Sequence, residues 1–163
     1  MTSELLGDTA LARLRDLGYN LPQQGPAESK YVAYQRVDSS IYVAGQLPYV
    51  DGELPAQGVL GRDVSVQQAQ ELARLAALNA LAVATTAVGD LDRVRVVQMM
   101  VFVASTAEFG DQSTVADAAS ELLLAVLGDN GRHARTAIGV AGLPRNSPVE
   151  IQMVCADVAL GAG

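Results

Sequence analysis

The spacing of hydrophobic residues predicts two long helices in the middle of the chain. Over 65–88, small apolar residues recur with the period of a helix, and Ser65 with Gln68 forms the S-x-x-Q pattern of a capping box. Gly89 is suited to end this helix, because glycine tolerates the left-handed conformation of a C-terminal cap. A second helix is predicted over 114–127, again directly before a glycine.

Five shorter segments carry the β-branched and aromatic residues typical of strands. They are 30–37, 40–44, 93–105, 135–140 and 149–158. The first two are separated by two residues only, which predicts a hairpin. The segment 93–105 is nearly continuous in Val, Met and Phe, a pattern that predicts cover on both of its faces.

An additional helix is predicted near the N-terminus, over 3–17, with Ser3 as its N-cap and Gly18 at its end. The predicted order is therefore helix, then β-β-α-β-α-β-β. This order indicates an α+β fold, with a mixed sheet and two helices packed on one face. We assign a helical extension to 1–24, one α+β domain to 25–159 and a short tail to 160–163.

Composition narrows the classes of function. The 163 residues suffice for one compact domain, and half of them are hydrophobic, but only 4% are aromatic. Because the chain has so few aromatic residues, we expect the sheet face that the helices leave open to be covered by further copies of the chain, that is, in a homo-oligomer. The net charge is −7 and Lys30 is the only lysine, which disfavours binding to nucleic acid. Cys155 is the only cysteine, which excludes an intrachain disulfide and a multi-cysteine zinc site.

The distribution of charged and apolar residues along the chain predicts a cytoplasmic protein without a membrane span. The N-terminal residues carry Glu4 and Asp8 and lack the apolar run of a signal peptide. The most apolar stretch, 72–88, is interrupted by Arg74 and Asn79, as in a buried amphipathic helix. One reduced cysteine fits the reducing cytoplasm.

Two charges stand within the last two predicted strands. Arg135 begins one of them, and its planar guanidinium suits a carboxylate ligand, although a structural salt bridge, for instance to Glu150, is an alternative. Glu150 alternates with Val149 and Ile151, so it is either the solvent-side residue of an edge strand or a carboxylate that activates a water. Periodicity alone favours the structural alternative for both charges.

Other candidates have simple structural interpretations. Tyr31 is a rim tyrosine or a hydroxyl donor to a ligand. Gly45 is a bulge or turn, or the end of a strand where a backbone N–H approaches a ligand. His133 is interpreted as a solvated loop residue. Cys155 and Met99-Met100 are interpreted as core residues.

These segments together resemble the RidA/YjgF family, also called L-PSP endoribonuclease-like, which has a chorismate-mutase-like fold. Family members read about P-A-R-[ST]-x-V-x-V-x-x-L-P-x-x-x-x-[VI]-E-I near their C-terminus, and this chain reads HARTAIGVAGLPRNSPVEI. The family's G-Q-[LI]-P is similar to Gly45-Gln46-Leu47-Pro48, its mid-helix Asn to Asn79 and its strand T-V-F-V to Met100-Val101-Phe102-Val103. The N-terminal helix and the segments 27–30 and 114–127 depart from the family pattern, which indicates a divergent subgroup.

The resemblance implies a homotrimer with clefts between subunits, in which 2-imino or enamine acids are hydrolysed to 2-oxo acids and ammonia. Arg135 would hold the substrate carboxylate, Glu150 would orient the attacking water, and Tyr31 would shape or protonate the site. Gly45, Ala137 and Phe102 would contribute to substrate binding. No cofactor or metal is implied, because an imine is already electrophilic. Ala137 stands where many members carry Cys or Thr.

Three other functions remain open at this stage. The cleft could capture a small carboxylate metabolite without catalysis, in which case Arg135 would serve the same purpose and Glu150 would not be needed. Cleavage of RNA is suggested by the family name but disfavoured by the acidic charge. Chorismate mutation is a weaker alternative, because one Arg and one Glu are few contacts for a dicarboxylate.

Overall fold

A computed structural model describes residues 8–24 and 30–160 of the chain. The helices are α1 (Ala10–Asp16), α2 (Val66–Val88) and α3 (Gln112–Leu127), and the strands are β1 (Tyr34–Val37), β2 (Ser40–Gln46), β3 (Val94–Ala104), β4 (Ala134–Val140) and β5 (Val149–Asp157). Their order along the chain is the predicted one. The structure therefore confirms the α+β class, and the predicted bounds differ from the observed ones by a few residues.

The five strands form one mixed sheet in the order β1-β2-β5-β3-β4. Only β3 and β4 are parallel, and α3 is the crossover between them. The last strand, β5, is thus the central strand, and the interpretation of Glu150 as an edge-strand residue is wrong. A chain segment that pairs on both sides has a fixed register, so β5 holds its side chains at defined positions on each face.

The sheet has one covered face and one open face. Helices α2 and α3 pack on the covered face, where Val149, Ile151, Met153 and Cys155 of β5 are at most 1% exposed. On the opposite face, Tyr42, Val97 and Ile138 are between 44% and 50% exposed. The prediction that β3 is covered on both faces is therefore wrong for the single chain, since its Val, Met and Phe residues alternate between a buried and a half-exposed row.

Helix α2 begins and ends at the residues that the sequence indicated. The capping box of Ser65 and Gln68 is formed in both directions, and Gly89 ends the helix with a φ of 91°. Small residues let this helix lie close to the sheet. It is also the one helix among the described residues that is long and apolar enough to cross a membrane, and 67% of that stretch is buried within the fold.

Helix α1 is shorter than predicted and belongs to the core. Its N-cap is Thr9, whose side chain accepts a hydrogen bond from the Ala12 N–H; the proposed cap Ser3 lies outside the described residues. Ala10 and Leu14 are buried, and the Arg13 Nε donates to the Val126 carbonyl of α3 at 2.8 Å. The helix thus packs as part of the domain, although it precedes the first strand.

Candidate functional site

Glu150 lies on the open face of β5, half-buried among apolar neighbours. On the neighbouring strand β3, Glu150 pairs directly with Phe102. On the other neighbouring strand, β2, its carboxylate lies against Gly45, where an added Cβ would overlap Glu150 Oε1. Within the described residues, no hydrogen bond or ion pair reaches this carboxylate. Because burial removes water without supplying a cation, the pKa of Glu150 is raised above its usual value.

Gly45 lets the Glu150 side chain lie close to the backbone of β2, and it does not form a tight turn. Strand β2 has a bulge between Val43 and Gln46, and Gly45 lies within it. The absent side chain leaves the space that the Glu150 carboxylate fills. The bulge that the sequence offered as the structural alternative is therefore confirmed, and the approach of a Gly45 backbone N–H to a ligand stays a prediction.

Tyr31 precedes β1, at the end of the sheet where Gly45 lies in β2. The Ala44 N–H donates to the Ala33 carbonyl at 2.9 Å, which extends the hairpin to the residue before Gly45. Tyr31 itself is 67% exposed. The hairpin therefore brings Tyr31 toward the Gly45 end of β2, and Phe102 and Glu150 share the adjacent part of the open face.

Arg135 lies on the other face of the sheet, near the start of the edge strand β4. It pairs with Met99 in β3, whose side chain is fully buried on the helical face. Its Nη1 donates to Asp117 Oδ1 at 2.7 Å and to Ser120 Oγ at 3.2 Å, both on α3. The structural alternative, a salt bridge, is thus present within the chain, but its partner is Asp117 and not Glu150.

Arg135 and Glu150 of one chain cannot share a small ligand. One strand, β3, lies between β4 and β5, and their positions along it differ by three residues, which corresponds to roughly 14 Å between the Cα atoms of Arg135 and Glu150. They also project from opposite faces of the sheet. Ala137 lies on the Arg135 side, opposite the buried Val101, so the structure groups Arg135 with Ala137 and Glu150 with Gly45 and Phe102.

Comparisons with known proteins place this geometry in a family. A family model described as "YjgF/chorismate mutase-like, putative endoribonuclease" matches residues 11–157. The chain belongs to this family. It is also 44% identical over 142 residues to Protein TCP17 of Trypanosoma cruzi, an alignment that covers 86% of this chain and 89% of that protein.

Solved structures of other YjgF-like proteins have the same architecture. A protein of unknown function from Agrobacterium tumefaciens, Atu1372, is 41% identical, with a TM-score of 0.86 and coverage of 95% of this chain and 96% of its own. A Shewanella oneidensis protein named as a "putative endoribonuclease" is 32% identical, with a TM-score of 0.87 and coverage of 91% and 99%. The YjgF gene product of Escherichia coli is 23% identical, covers 80% and 90%, and with a TM-score of 0.59 shows the common fold.

Asn79, which matches the family's mid-helix asparagine, has a structural role. It is 7% exposed, and its Nδ2 donates to the carbonyls of Leu47 and Tyr49 at 2.9 and 3.1 Å. These bonds attach the loop after β2 to α2. Asn79 therefore fixes the segment that follows Gly45 and Gln46 and does not reach the open face itself.

His133 differs from its prediction. It is half-buried, with Nε2 3.0 Å from Ser120 Oγ and Nδ1 2.6 Å from the Gly131 carbonyl, so it is not a solvated loop residue. Sequence reasoning also missed Asp117 and Ser120 as partners of Arg135. Their signal was available: they are polar, three residues apart on one face of a helix that connects two parallel strands.

The described residues contain no group of three or more His, Cys, Asp or Glu side chains arranged to hold a metal ion. Cys155 is fully buried on the covered face, as the sequence indicated. Without a charged partner, burial raises the pKa of its thiol to about 12.

Proposed function

We propose that this protein hydrolyses reactive 2-imino and enamine acids to 2-oxo acids and ammonia, in clefts between the subunits of a cytoplasmic homotrimer. The observation that carries the proposal is the Glu150 carboxylate. It is half-buried beside Phe102, lies against Gly45, and has no cationic partner among the described residues. A carboxylate in this setting is suited to proton transfer rather than to structural pairing.

The proposed reaction needs one water and no net redox change. The imine enters with its nitrogen protonated, and Glu150 accepts a proton as the water oxygen bonds to the imine carbon, which gives a neutral tetrahedral amino alcohol. The same carboxyl group returns that proton to the nitrogen. The C–N bond then breaks as the hydroxyl group gives its proton to the Glu150 carboxylate, so that ammonia and the 2-oxo acid leave and the carboxyl group releases its proton to solvent. An enamine enters the reaction after it takes a proton on carbon and becomes the imine. Burial raises the pKa of Glu150 above its usual value, which makes the carboxylate a stronger base toward the attacking water.

Arg135 would bind the substrate carboxylate, but from a neighbouring subunit. Its separation from Glu150 across the sheet prevents one chain from supplying both residues to one ligand. The open face, with Tyr42, Val97 and Ile138 about half exposed, supports cover by a second copy. In that arrangement the edge strand β4 of one subunit faces the Glu150 region of another.

The direct test measures ammonia release from 2-iminobutanoate generated in the assay by an amino-acid oxidase. Glu150→Gln is expected to lower kcat by roughly 10²–10⁴-fold while leaving binding of 2-oxobutanoate intact, because Gln keeps the shape and loses the base. Glu53→Gln, at an exposed turn, is the matched control. Wild-type protein that releases no more ammonia than the uncatalysed reaction would contradict the proposal, and retained binding would then favour a non-catalytic carboxylate binder.

The second test asks whether Arg135 acts from another subunit. Arg135→Ala and Glu150→Gln chains, each inactive alone, are coexpressed with different tags and purified as mixed oligomers. A cleft formed by two subunits recovers part of the wild-type rate, because some clefts receive an intact Arg135 and an intact Glu150. A light-scattering mass equal to one chain, or mixed oligomers without activity, would contradict a shared cleft.

Arg135→Ala is expected to lose 2-oxobutanoate binding with little loss of folding, since its pair with Asp117 is partly exposed and worth about 0–1 kcal/mol. Arg132→Ala removes another exposed ion pair, with Asp129, and serves as the control. Unfolding of Arg135→Ala at ambient temperature would show that Arg135 is structural. RNA degradation that disappears in Arg135→Ala would instead support the endoribonuclease alternative.

A further inference from the structure

Arg135 uses only part of its hydrogen-bonding capacity within the chain. Both of its described contacts, to Asp117 and to Ser120, are made by Nη1. No described partner reaches Nε or Nη2, and no buried side-chain nitrogen or oxygen lacks a partner. Nε and Nη2 therefore reach solvent, and these two atoms form the edge of a guanidinium that binds a carboxylate with two parallel hydrogen bonds.

The orientation of the Ser120 hydroxyl is determined by His133. A backbone carbonyl only accepts hydrogen bonds, so His133 Nδ1 carries the proton that is donated to the Gly131 carbonyl at 2.6 Å. In the neutral ring, Nε2 is then the acceptor, and the Ser120 hydroxyl donates a hydrogen bond to it across 3.0 Å. The lone pairs of Ser120 Oγ are left for Arg135 Nη1 at 3.2 Å.

Gly131 allows this arrangement to form. Its residue is buried, and an added Cβ would overlap the Leu123 carbonyl oxygen of α3. The missing side chain lets the turn after α3 return closely along the helix. As a result, His133 lies beside Ser120 immediately before Arg135 enters β4.

We propose that Ser120 and His133 are positioning residues for Arg135. They hold Nη1 against α3, so that the edge formed by Nε and Nη2 faces outward to receive the carboxylate of a 2-oxo or 2-imino acid. This inference rests on the carboxylate-binding part of the proposed function and is separate from the catalytic part. Ser120 and His133 do not touch the ligand, and they act only through the guanidinium.

The experiment titrates wild-type and variant oligomers with 2-oxobutanoate and follows the Arg135 Nε–H signal by ¹⁵N NMR. Ser120→Ala is expected to raise the dissociation constant about five- to tenfold, the effect of one lost hydrogen bond of ordinary strength, and to broaden the Nε–H signal. His133→Ala is expected to act in the same direction with a smaller change, because the hydroxyl remains but is no longer directed. Ser120→Thr, which keeps the hydroxyl, should restore affinity.

The control is Ser113→Ala, an exposed serine of the same helix. In turnover assays Ser120→Ala should raise KM and leave kcat nearly unchanged, a separation that general loss of structure does not produce. Ser120→Ala with the affinity and Nε–H signal of Ser113→Ala would overturn the inference, as would wild-type protein that does not bind 2-oxobutanoate. Wild type that binds 2-oxobutanoate but releases no ammonia would overturn only the proposed catalysis.

Discussion

Strand β5 carries a carboxylate near each of its ends, and the two have opposite surroundings. Asp157, on the covered face, is fully buried and accepts hydrogen bonds at 2.7 Å from both Arg36 Nη2 and Arg93 Nη2. Burial alone would raise its pKa, but the bonds from Arg93 and Arg36 and from the Ala159 N–H hold that pKa below its usual value. Glu150, on the open face, has burial without a cation, and its pKa is raised.

The difference shows that burial does not by itself decide what a carboxylate does in this fold. Asp157 joins the β1–β2 hairpin, through Arg36, to the start of β3, through Arg93, and thus fixes one end of the sheet. Glu150 has no hydrogen bond or ion pair among the described residues, so its carboxylate links no elements of the sheet. One strand therefore carries a carboxylate paired with two arginines at one end and a carboxylate without a cationic partner among the described residues at the other.

The largest expected effect is on stability, from Asp157→Asn. The substitution keeps the shape but removes the charge that two arginines share, so both cations lose their partner. We expect the melting temperature at pH 7 to fall by on the order of 10 °C. Differential scanning calorimetry measures this, with Asp129→Asn as a control for an exposed ion pair. An equal and small shift in both variants would mean that Asp157 is no more structural than a surface charge.

The next effect is on activity, from Gly45→Ala. The added methyl overlaps the Glu150 carboxylate, which is the free end of a flexible side chain, so the side chain turns away and the fold is kept. We expect kcat for imine hydrolysis to fall roughly 10–100-fold, since a displacement of about 1 Å at a reacting group is that costly. Gly142→Ala, where an added Cβ meets no atom within 4 Å, is the control. Full activity in Gly45→Ala would separate Glu150 from catalysis.

Most of the fold was predictable because local signals decide it. The capping box at Ser65, the glycine at position 89 and the alternation along β5 each depend on a few adjacent residues, and the structure confirms them. The predicted α1 was too long because its first turn depends on a contact far along the chain: the Ala10 N–H donates to Asp92 Oδ1 at 2.8 Å. Local periodicity does not contain that contact.

The site was only partly predictable, because its residues are grouped by strand order. Arg135 and Glu150 are fifteen residues apart in sequence, yet β3 lies between their strands and their side chains project from opposite faces. The contacts of His133 and Arg135 with α3 depend on the crossover helix returning over β4. Such contacts follow from the topology of the whole sheet rather than from any one motif.

A smaller effect on stability is expected from Glu150→Gln, with a sign opposite to that of Asp157→Asn. A carboxylate with a raised folded-state pKa favours the fold below its unfolded-state pKa, and this contribution is lost as the pH rises through the folded-state pKa. The variant should therefore melt at a higher temperature than wild type at pH 7, and the difference should vanish toward pH 3. A lower melting temperature at pH 7 would indicate a stabilising partner for Glu150.

For Asp157 the same pH series has the opposite direction. Its folded-state pKa is lowered, so its stabilising contribution is present above the unfolded-state pKa, about 3.9, and is lost as the pH falls through the folded-state value. The penalty of Asp157→Asn should accordingly shrink in acid. If the two variants followed the same pH trend, the contrast between the two ends of β5 would be incorrect.

Cys155 provides the smallest expected effect and isolates the role of burial. It lies on β5 two residues before Asp157, on the same covered face and fully buried, but without a cation, and the pKa of its thiol is raised to about 12. Because the thiolate is the reactive form, the folded protein should not react with a disulfide reagent such as dithionitrobenzoate over minutes at pH 8. In guanidinium chloride one thiol per chain should react at once. Rapid reaction of the folded protein would mean that this end of β5 opens to water, and that the arginines around Asp157 do not keep the sheet closed.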